Sequence, residues 1–239
     1  MFPYLTKTGV LCFCYKEAGE YDTNLIKLKE VLVYLTYYFF GSIWRRKKIW
    51  LVYEKFSNYA QDNGYFFFKY CMENLTAEQK KNIYYVIDKR SPDYKNVEKY
   101  GKNVIQFMSM KHMMYSSAMK VCIASDSKPH LYKWRSTPSF IVNAINRKPI
   151  LFLQHGVTAL KKVHTLFGKK GSSPMTYFVT TGKVEQEIAI NELFYTEETA
   201  PITGFARWDA LENKEDKNDR FILVMPTWRS WLEDVSDEE

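Results

Sequence analysis

The chain has 239 residues, 46% of them apolar and 17% aromatic, which is enough for one large domain or two small ones and too apolar for general disorder. Ten glycines argue against collagen-like repeats, and four cysteines without a CxxC pair argue against a zinc ribbon or a thioredoxin-type site. The net charge of +7 is uneven: basic residues exceed acidic ones by 12 over residues 1–211, while residues 212–239 carry nine acidic and four basic side chains. A basic body points to an anionic partner, whether nucleic acid, a phospholipid surface or a phosphorylated substrate.

Met1-Phe2-Pro3-Tyr4 has no basic stretch leading into a short apolar one, so no cleavable signal peptide is expected. Residues 1–48 read as a helical segment. Its longest uncharged run, Val31 to Trp44, has 14 residues, short of the roughly 20 that span a bilayer. Tyr34, Tyr37, Tyr38 and Trp44 beside Arg45-Arg46-Lys47-Lys48 suit the headgroup region of an anionic leaflet. A buried helix followed by a surface charge run fits the same residues. Cys12, Cys14, Cys71 and Cys122 are scattered on apolar stretches, which suits a reducing compartment.

From Ile49 onward, short apolar runs recur: Ile49–Tyr53, Ile83–Ile87, Val104–Phe107, Val121–Ala124, Ile150–Leu153, Tyr177–Thr180 and Phe221–Met225. Their near-continuous apolarity marks strands covered on both faces. Helical segments alternate with them at Asn58–Glu73 (with Ser57 as cap), Met110–Met119, Ser139–Asn146 and Lys183–Leu193. The pattern predicts an α/β fold, a doubly wound parallel sheet with ligands at the carboxyl ends of its strands. The polar stretch Leu211–Arg220 reads as a linker into the last strand.

The sharpest chemical candidate is His155 in Leu153-Gln154-His155-Gly156-Val157-Thr158, at the carboxyl end of a predicted strand. An imidazole accepts a hydroxyl proton near neutral pH, and a glycine beside it lets the backbone turn sharply and approach a ligand. A histidine with a satisfied structural hydrogen bond fits as well. His112, His130 and His164 read as structural, and no metal-ligand spacing such as HExxH occurs. Asp62-Asn63-Gly64 reads as turn chemistry or as a ligand-facing edge. Arg207 and Arg229 each follow an apolar run, where a guanidinium clamps phosphate or pairs with a carboxylate such as Asp209. Neither a phosphate loop nor GxGxxG is present.

Taken together, "SNYAQDNGYFFFKY", "YYVIDKRSPDYKNV", "PILFLQHGVTALKK" and "TGFARWDAL" followed by "MPTWR" resemble, in order and spacing, the motifs of the CDP-glycerol glycerophosphotransferase family of teichoic-acid primases and polymerases. The resemblance covers roughly residues 50–231. It implies a Rossmann-like parallel sheet forming the amino-terminal half of a GT-B glycosyltransferase-like fold. It further implies transfer of glycerol phosphate, or a related polyol phosphate, from a CDP-activated donor to a hydroxyl of a lipid-linked polyol-phosphate acceptor, with release of CMP.

His155 is then the general base. Asp62, Asn63, Gly64, Gln154, Gly156, Arg207 and Arg229 are substrate-binding, and neither cofactor nor metal is expected. The implied layout is a helical segment over 1–48, an acceptor-side domain over 49–211, and a linker with the first donor-side strand over 212–239. The family's later histidine-proline motif has no match, so this chain alone is expected to have little or no transferase activity, or to pair with a separate donor-binding half. The implied location is the cytoplasmic face of the cell membrane, held peripherally. A non-catalytic module binding membrane or anionic polymer is the alternative. Nucleic acid is not an expected partner, since no helix-turn-helix, zinc-finger or RRM signature accompanies the charge.

Overall fold

A computed structural model describes residues 2–5, 9–14, 19–133, 139–159, 162–212, 222 and 224. The chain separates into two compact units, residues 1–209 and 210–239. The expected strand over 221–225 lies, apart from Ile222 and Val224, outside the described residues, as does Arg229.

The expected all-helical start is corrected. Strands β1 (Phe2–Leu5) and β2 (Leu11–Cys14) pair antiparallel, with Gly9 at φ +79° between them. Both segments are rich in aromatic and large apolar residues, which favour strands. Helix α1 (Asn24–Arg46) follows, capped by Thr23, whose side chain accepts from the Ile26 N–H at 3.3 Å. Ile26, Glu30, Val33, Tyr37, Gly41 and Trp44 recur every three or four residues and face inward. Glu30 is accommodated there because the Tyr132 hydroxyl donates to it at 2.7 Å.

Six parallel strands form the central sheet: β3 (Trp50–Tyr53), β4 (Ile83–Ile87), β5 (Val104–Gln106), β6 (Val121–Ala124), β7 (Ile150–Phe152) and β8 (Tyr177–Phe178). Their spatial order is β5-β4-β3-β6-β7-β8. The first strand of the sheet therefore lies at its middle, and the chain winds outward first to one side and then to the other, as in Rossmann-type sheets. Helices α2 (Asn63–Asn74), α3 (Ala77–Lys80), α4 (Tyr94–Val97), α5 (Met110–Ala118), α6 (Phe140–Asn146), α7 (His164–Phe167) and α8 (Lys183–Asn191) alternate with the strands. Every residue of β4 is buried, the reason its run IYYVI shows no alternation. Alternate strand residues feed two core clusters: Leu51, Tyr53, Tyr84 and Val86 join one, Val52, Ile83, Tyr85 and Ile87 the other.

Helix α2 begins five residues later than the sequence suggests. The segment after β3 is a tight 3₁₀ turn, Lys55–Ser57, in which Phe56 and Ser57 adopt left-handed backbone angles of +56° and +50°. Such non-glycine conformations persist only where neighbours enforce them. Here the Phe56 N–H donates to His130 Nδ1 at 3.2 Å, the Ser57 hydroxyl to the His130 carbonyl at 3.0 Å, and the Asp88 N–H to the Ser57 carbonyl at 2.8 Å.

Candidate active site

In a sheet of this order the ligand crevice is expected where the winding reverses, outside the carboxyl ends of the two central strands. These are β3 and β6. A cavity of about 320 Å³ opens there, lined by Glu54 and Lys55 after β3, Ser125 and Asp126 after β6, and His155 after β7.

His155 is exposed. Its Nδ1 lies 3.1 Å from the Ser125 carbonyl oxygen. A carbonyl only accepts, so Nδ1 carries a proton in that contact, and in the neutral ring the lone pair is the one on Nε2. The sharp backbone turn beside it is made by Gln154, at φ +60°, and not by Gly156. Gln154 holds that conformation because its buried amide is fully engaged. Nε2 donates to the Val179 carbonyl and to Glu185 Oε1 (3.1 Å), and Oε1 accepts from the Thr158 hydroxyl at 2.9 Å. Glu185 also accepts from the N–H groups of Thr158 and Thr181, both at 2.6 Å. Gly156 is exposed, with open space where a Cβ would stand.

Asp62, Asn63 and Gly64 open helix α2, with Asp62 as its N-cap, and do not form a separate turn. The capping is done from a distance. Buried Glu54 accepts from the N–H groups of Gln61 (3.1 Å), Asp62 (2.9 Å) and Tyr65 (2.7 Å), which the helix start would otherwise leave unpaired. The Asp62 carboxylate is thereby free to pair with Arg207. Arg207 also donates to the His155 carbonyl at 3.0 Å. Asn63 is fully buried. Its amide donates to the carbonyls of Leu153 (3.3 Å) and Gln154 (2.8 Å), and its carbonyl accepts from the Arg207 N–H at 3.1 Å.

The structure thus gathers His155 and Asp62 at one cavity, joins Arg207 to both through the Asp62 carboxylate and the His155 carbonyl, and sets Asn63, Gly64 and Gln154 behind them as the frame. A Cβ on Gly64 would stand 3.1 Å from the Tyr53 carbonyl and 3.0 Å from Glu54 Cγ. Both neighbours are pinned, so Gly64→Ala is expected to cost about 1–2 kcal/mol. A shift in the urea midpoint at an unchanged m-value would show it, and an unshifted midpoint would refute the tight contact.

Burial pushes the Glu54 carboxyl up to about 7, helped by the nearby Asp62 charge and opposed by its N–H donors. His130 stands beside the site: its Nε2 lies 3.2 Å from Asp126 Oδ1, and its Nδ1 accepts from the Phe56 N–H. Burial pushes its pKa down, against the pull of Asp126. His112 is buried in the core, where burial takes it to about 3, and His164 is on the surface. The sequence singled out none of Glu54, Asp126 and Glu185, and His130 read there as structural. The available signal for the first two was a carboxylate within two residues of the end of an apolar strand run. Among the described residues no group of three or more His, Cys, Asp or Glu side chains could hold a metal.

Residues 36–236 match the family described as CDP-Glycerol:Poly(glycerophosphate) glycerophosphotransferase. The chain belongs to this glycerophosphotransferase family. It is 31% identical over 193 residues to the minor teichoic acid biosynthesis protein GgaB of Bacillus subtilis (strain 168), covering 79% of this chain and 20% of that relative. Two structures of the wall teichoic acid polymerase TagF align with TM-scores of 0.48 and 0.47 at 12% identity. They cover 80% and 82% of this chain against 50% and 51% of TagF. The chain therefore spans about a fifth of the length of GgaB and about half of the TagF chains.

Proposed function

We propose that this chain takes part in moving glycerol phosphate, or a related polyol phosphate, from a CDP-linked donor to a hydroxyl of a lipid-linked teichoic-acid-type acceptor. Residues 1–209 serve as the acceptor-side half of a GT-B-like transferase. The observation that supports this most is His155, an exposed imidazole at the sheet's crevice whose Nδ1 is occupied by the Ser125 carbonyl. Its Nε2 takes the acceptor hydroxyl proton as the oxygen attacks the glycerol-bearing phosphorus. The P–O bond to CMP breaks, and CMP leaves with the electron pair. Transfer of this kind depends on alignment and on offsetting the phosphate charge. Lys55 supplies a cation in the same cavity, and Arg207 a second once a phosphate oxygen displaces Asp62. The test is CMP release from CDP-glycerol or another CDP-polyol by this chain together with a donor-binding half and a lipid-linked acceptor. Absence of acceptor-dependent CMP would reject the reading.

The acceptor is lipid-linked, so the chain works at the membrane surface, apposed through α1. No helix among the described residues is long and apolar enough to cross a membrane. The outward face of α1 nevertheless exposes Leu28, Leu32, Leu35, Tyr38 (72%), Phe39 (68%) and Ile43, and Arg45-Arg46-Lys47-Lys48 follow. An apolar helix face edged by cations suits an anionic bilayer, each cation adding about 1 kcal/mol. Leu35→Glu with Phe39→Glu is expected to weaken co-sedimentation with phosphatidylglycerol-containing vesicles at least tenfold. Unchanged binding would discard α1 as the contact.

A further inference from the structure

His155 and His130 take opposite tautomers, and the loop after β6 sets both. The Ser125 carbonyl takes the Nδ1 proton of His155, while the next residue, Asp126, takes the Nε2 proton of His130 at 3.2 Å. A neutral imidazole carries one N–H and one lone pair. His155 therefore keeps its lone pair for the cavity, whereas the lone pair of His130 goes to the backbone: its Nδ1 accepts from the Phe56 N–H at 3.2 Å.

What depends on that bond is the turn Lys55–Ser57. Phe56 and Ser57 hold left-handed angles, which non-glycine residues keep only under constraint. His130 supplies two of the constraints, Nδ1 and the carbonyl that accepts from the Ser57 hydroxyl, and the Asp88 N–H supplies a third. The Phe56 ring also meets the imidazole edge to face, with centroids 4.5 Å apart. Lys55 opens the turn and lines the cavity of His155, so the shape of the turn decides where this cation stands. A doubly protonated ring would present Nδ1–H to the Phe56 N–H, donor against donor, and the constraint would be lost.

We infer that neutral His130 is the positioning residue for Lys55, latching the turn that carries this cation to the cavity of His155, and that protonation of His130 releases the latch. The inference rests on the proposed function for what Lys55 does there, but not for the latch itself.

The groups facing the ring decide when it opens. Asp126 favours protonation; burial opposes it most, followed by Lys55 on the turn and His155 on the loop after β7. Glu54 turns away, to the N–H groups that open α2. His130 also lines a neighbouring cavity of about 500 Å³, where Glu20 and Asp88 are both paired with Arg90, and Lys133 lines it too. The balance lowers the His130 pKa below its ordinary 6.5, so the latch is closed at neutral pH and opens in acid.

Two measurements test this. On the full chain alone, long-range proton–nitrogen NMR near neutral pH should show His130 protonated at Nε2 only, and the Phe56 amide shift should follow the ring's titration on acidification. In Asp126→Asn the midpoint should move to lower pH, because a charge that favours protonation is gone. In His130→Gln, whose amide supplies the same acceptor and donor without titrating, the Phe56 transition should vanish. In CMP release by this chain with a donor-binding half, His130→Ala and Lys55→Ala should each lower kcat/KM about tenfold or more. The double variant should be no worse than Lys55→Ala, and His130→Gln should recover most of the activity; a merely structural histidine would give additive losses. The NMR of the parent and of His130→Gln keeps the inference testable should His130→Ala fail to fold. A proton on Nδ1 at neutral pH, a Phe56 amide indifferent to the titration, or additive losses would overturn it. Absence of CMP release from the parent would instead reject the transferase reading, and the NMR result would still decide the latch.

Discussion

His155→Ala is expected to lower acceptor-dependent CMP release by about 10²–10⁴-fold, the usual contribution of a positioned general base. The loss should fall on kcat, because the proton moves only in the transition state. Folding should be unaffected. The ring is exposed and its recorded side-chain hydrogen bond is the Nδ1 contact to the Ser125 carbonyl, so the change in stability should stay within about 0.5 kcal/mol. His155→Gln is the sharper variant. It keeps a donor for the Ser125 carbonyl and removes the basic Nε2. Its activity should match that of the alanine variant if proton acceptance is the role, and should recover if the ring only braces the loop. Activity of either variant within tenfold of the parent would remove His155 from the mechanism.

The apolar runs located the strands well because parallel strands covered on both faces must be apolar along their whole length. Ile83–Ile87 coincides with β4, and Val121–Ala124 with β6. Strand-end placement likewise put His155 at the crevice. What the runs could not reveal is partnership across the sheet. Asn63 looked like a turn residue because Asp-Asn-Gly tolerates positive φ. Its real environment is set by carbonyls 90 and 91 positions away. Gly64 owes its place to the Tyr53 carbonyl and Glu54 beneath it, a steric reason invisible to local pattern. Arg207 was open between phosphate and Asp209, and the carboxylate it found was Asp62, 145 residues distant. His130 read as structural because its surroundings are polar or basic and it makes no metal-ligand spacing with His155; its tie to the strained turn at Phe56 spans 74 positions.

Glu54 should make stability depend on pH in an unusual direction. Its carboxyl sits at about 7 when folded against 4.5 ordinarily, raised chiefly by burial. The folded state therefore binds the proton more tightly. The stabilisation is complete below about pH 4.5 and is lost as pH rises through about 7, a difference of about 3 kcal/mol. His130 runs the other way: its pKa is lowered by burial, so stability is gained as pH rises toward its ordinary value of 6.5 and is fully present above it. Comparing the parent with Glu54→Gln at each pH isolates the carboxyl. Glutamine keeps one acceptor oxygen but turns an NH₂ group toward a backbone donor such as the Gln61 N–H, a conflict of about 1 kcal/mol. Urea unfolding should thus find the variant less stable at pH 5 and more stable at pH 8, with the curves crossing between. Parallel curves would show that the helix N–H groups keep Glu54 ionised throughout. A carboxylate that weakens the fold at neutral pH is tolerable where it preorganises a site. By capping α2 itself, Glu54 leaves the Asp62 carboxylate to hold Arg207 against the His155 loop, so the crossing variant should also lose transfer activity.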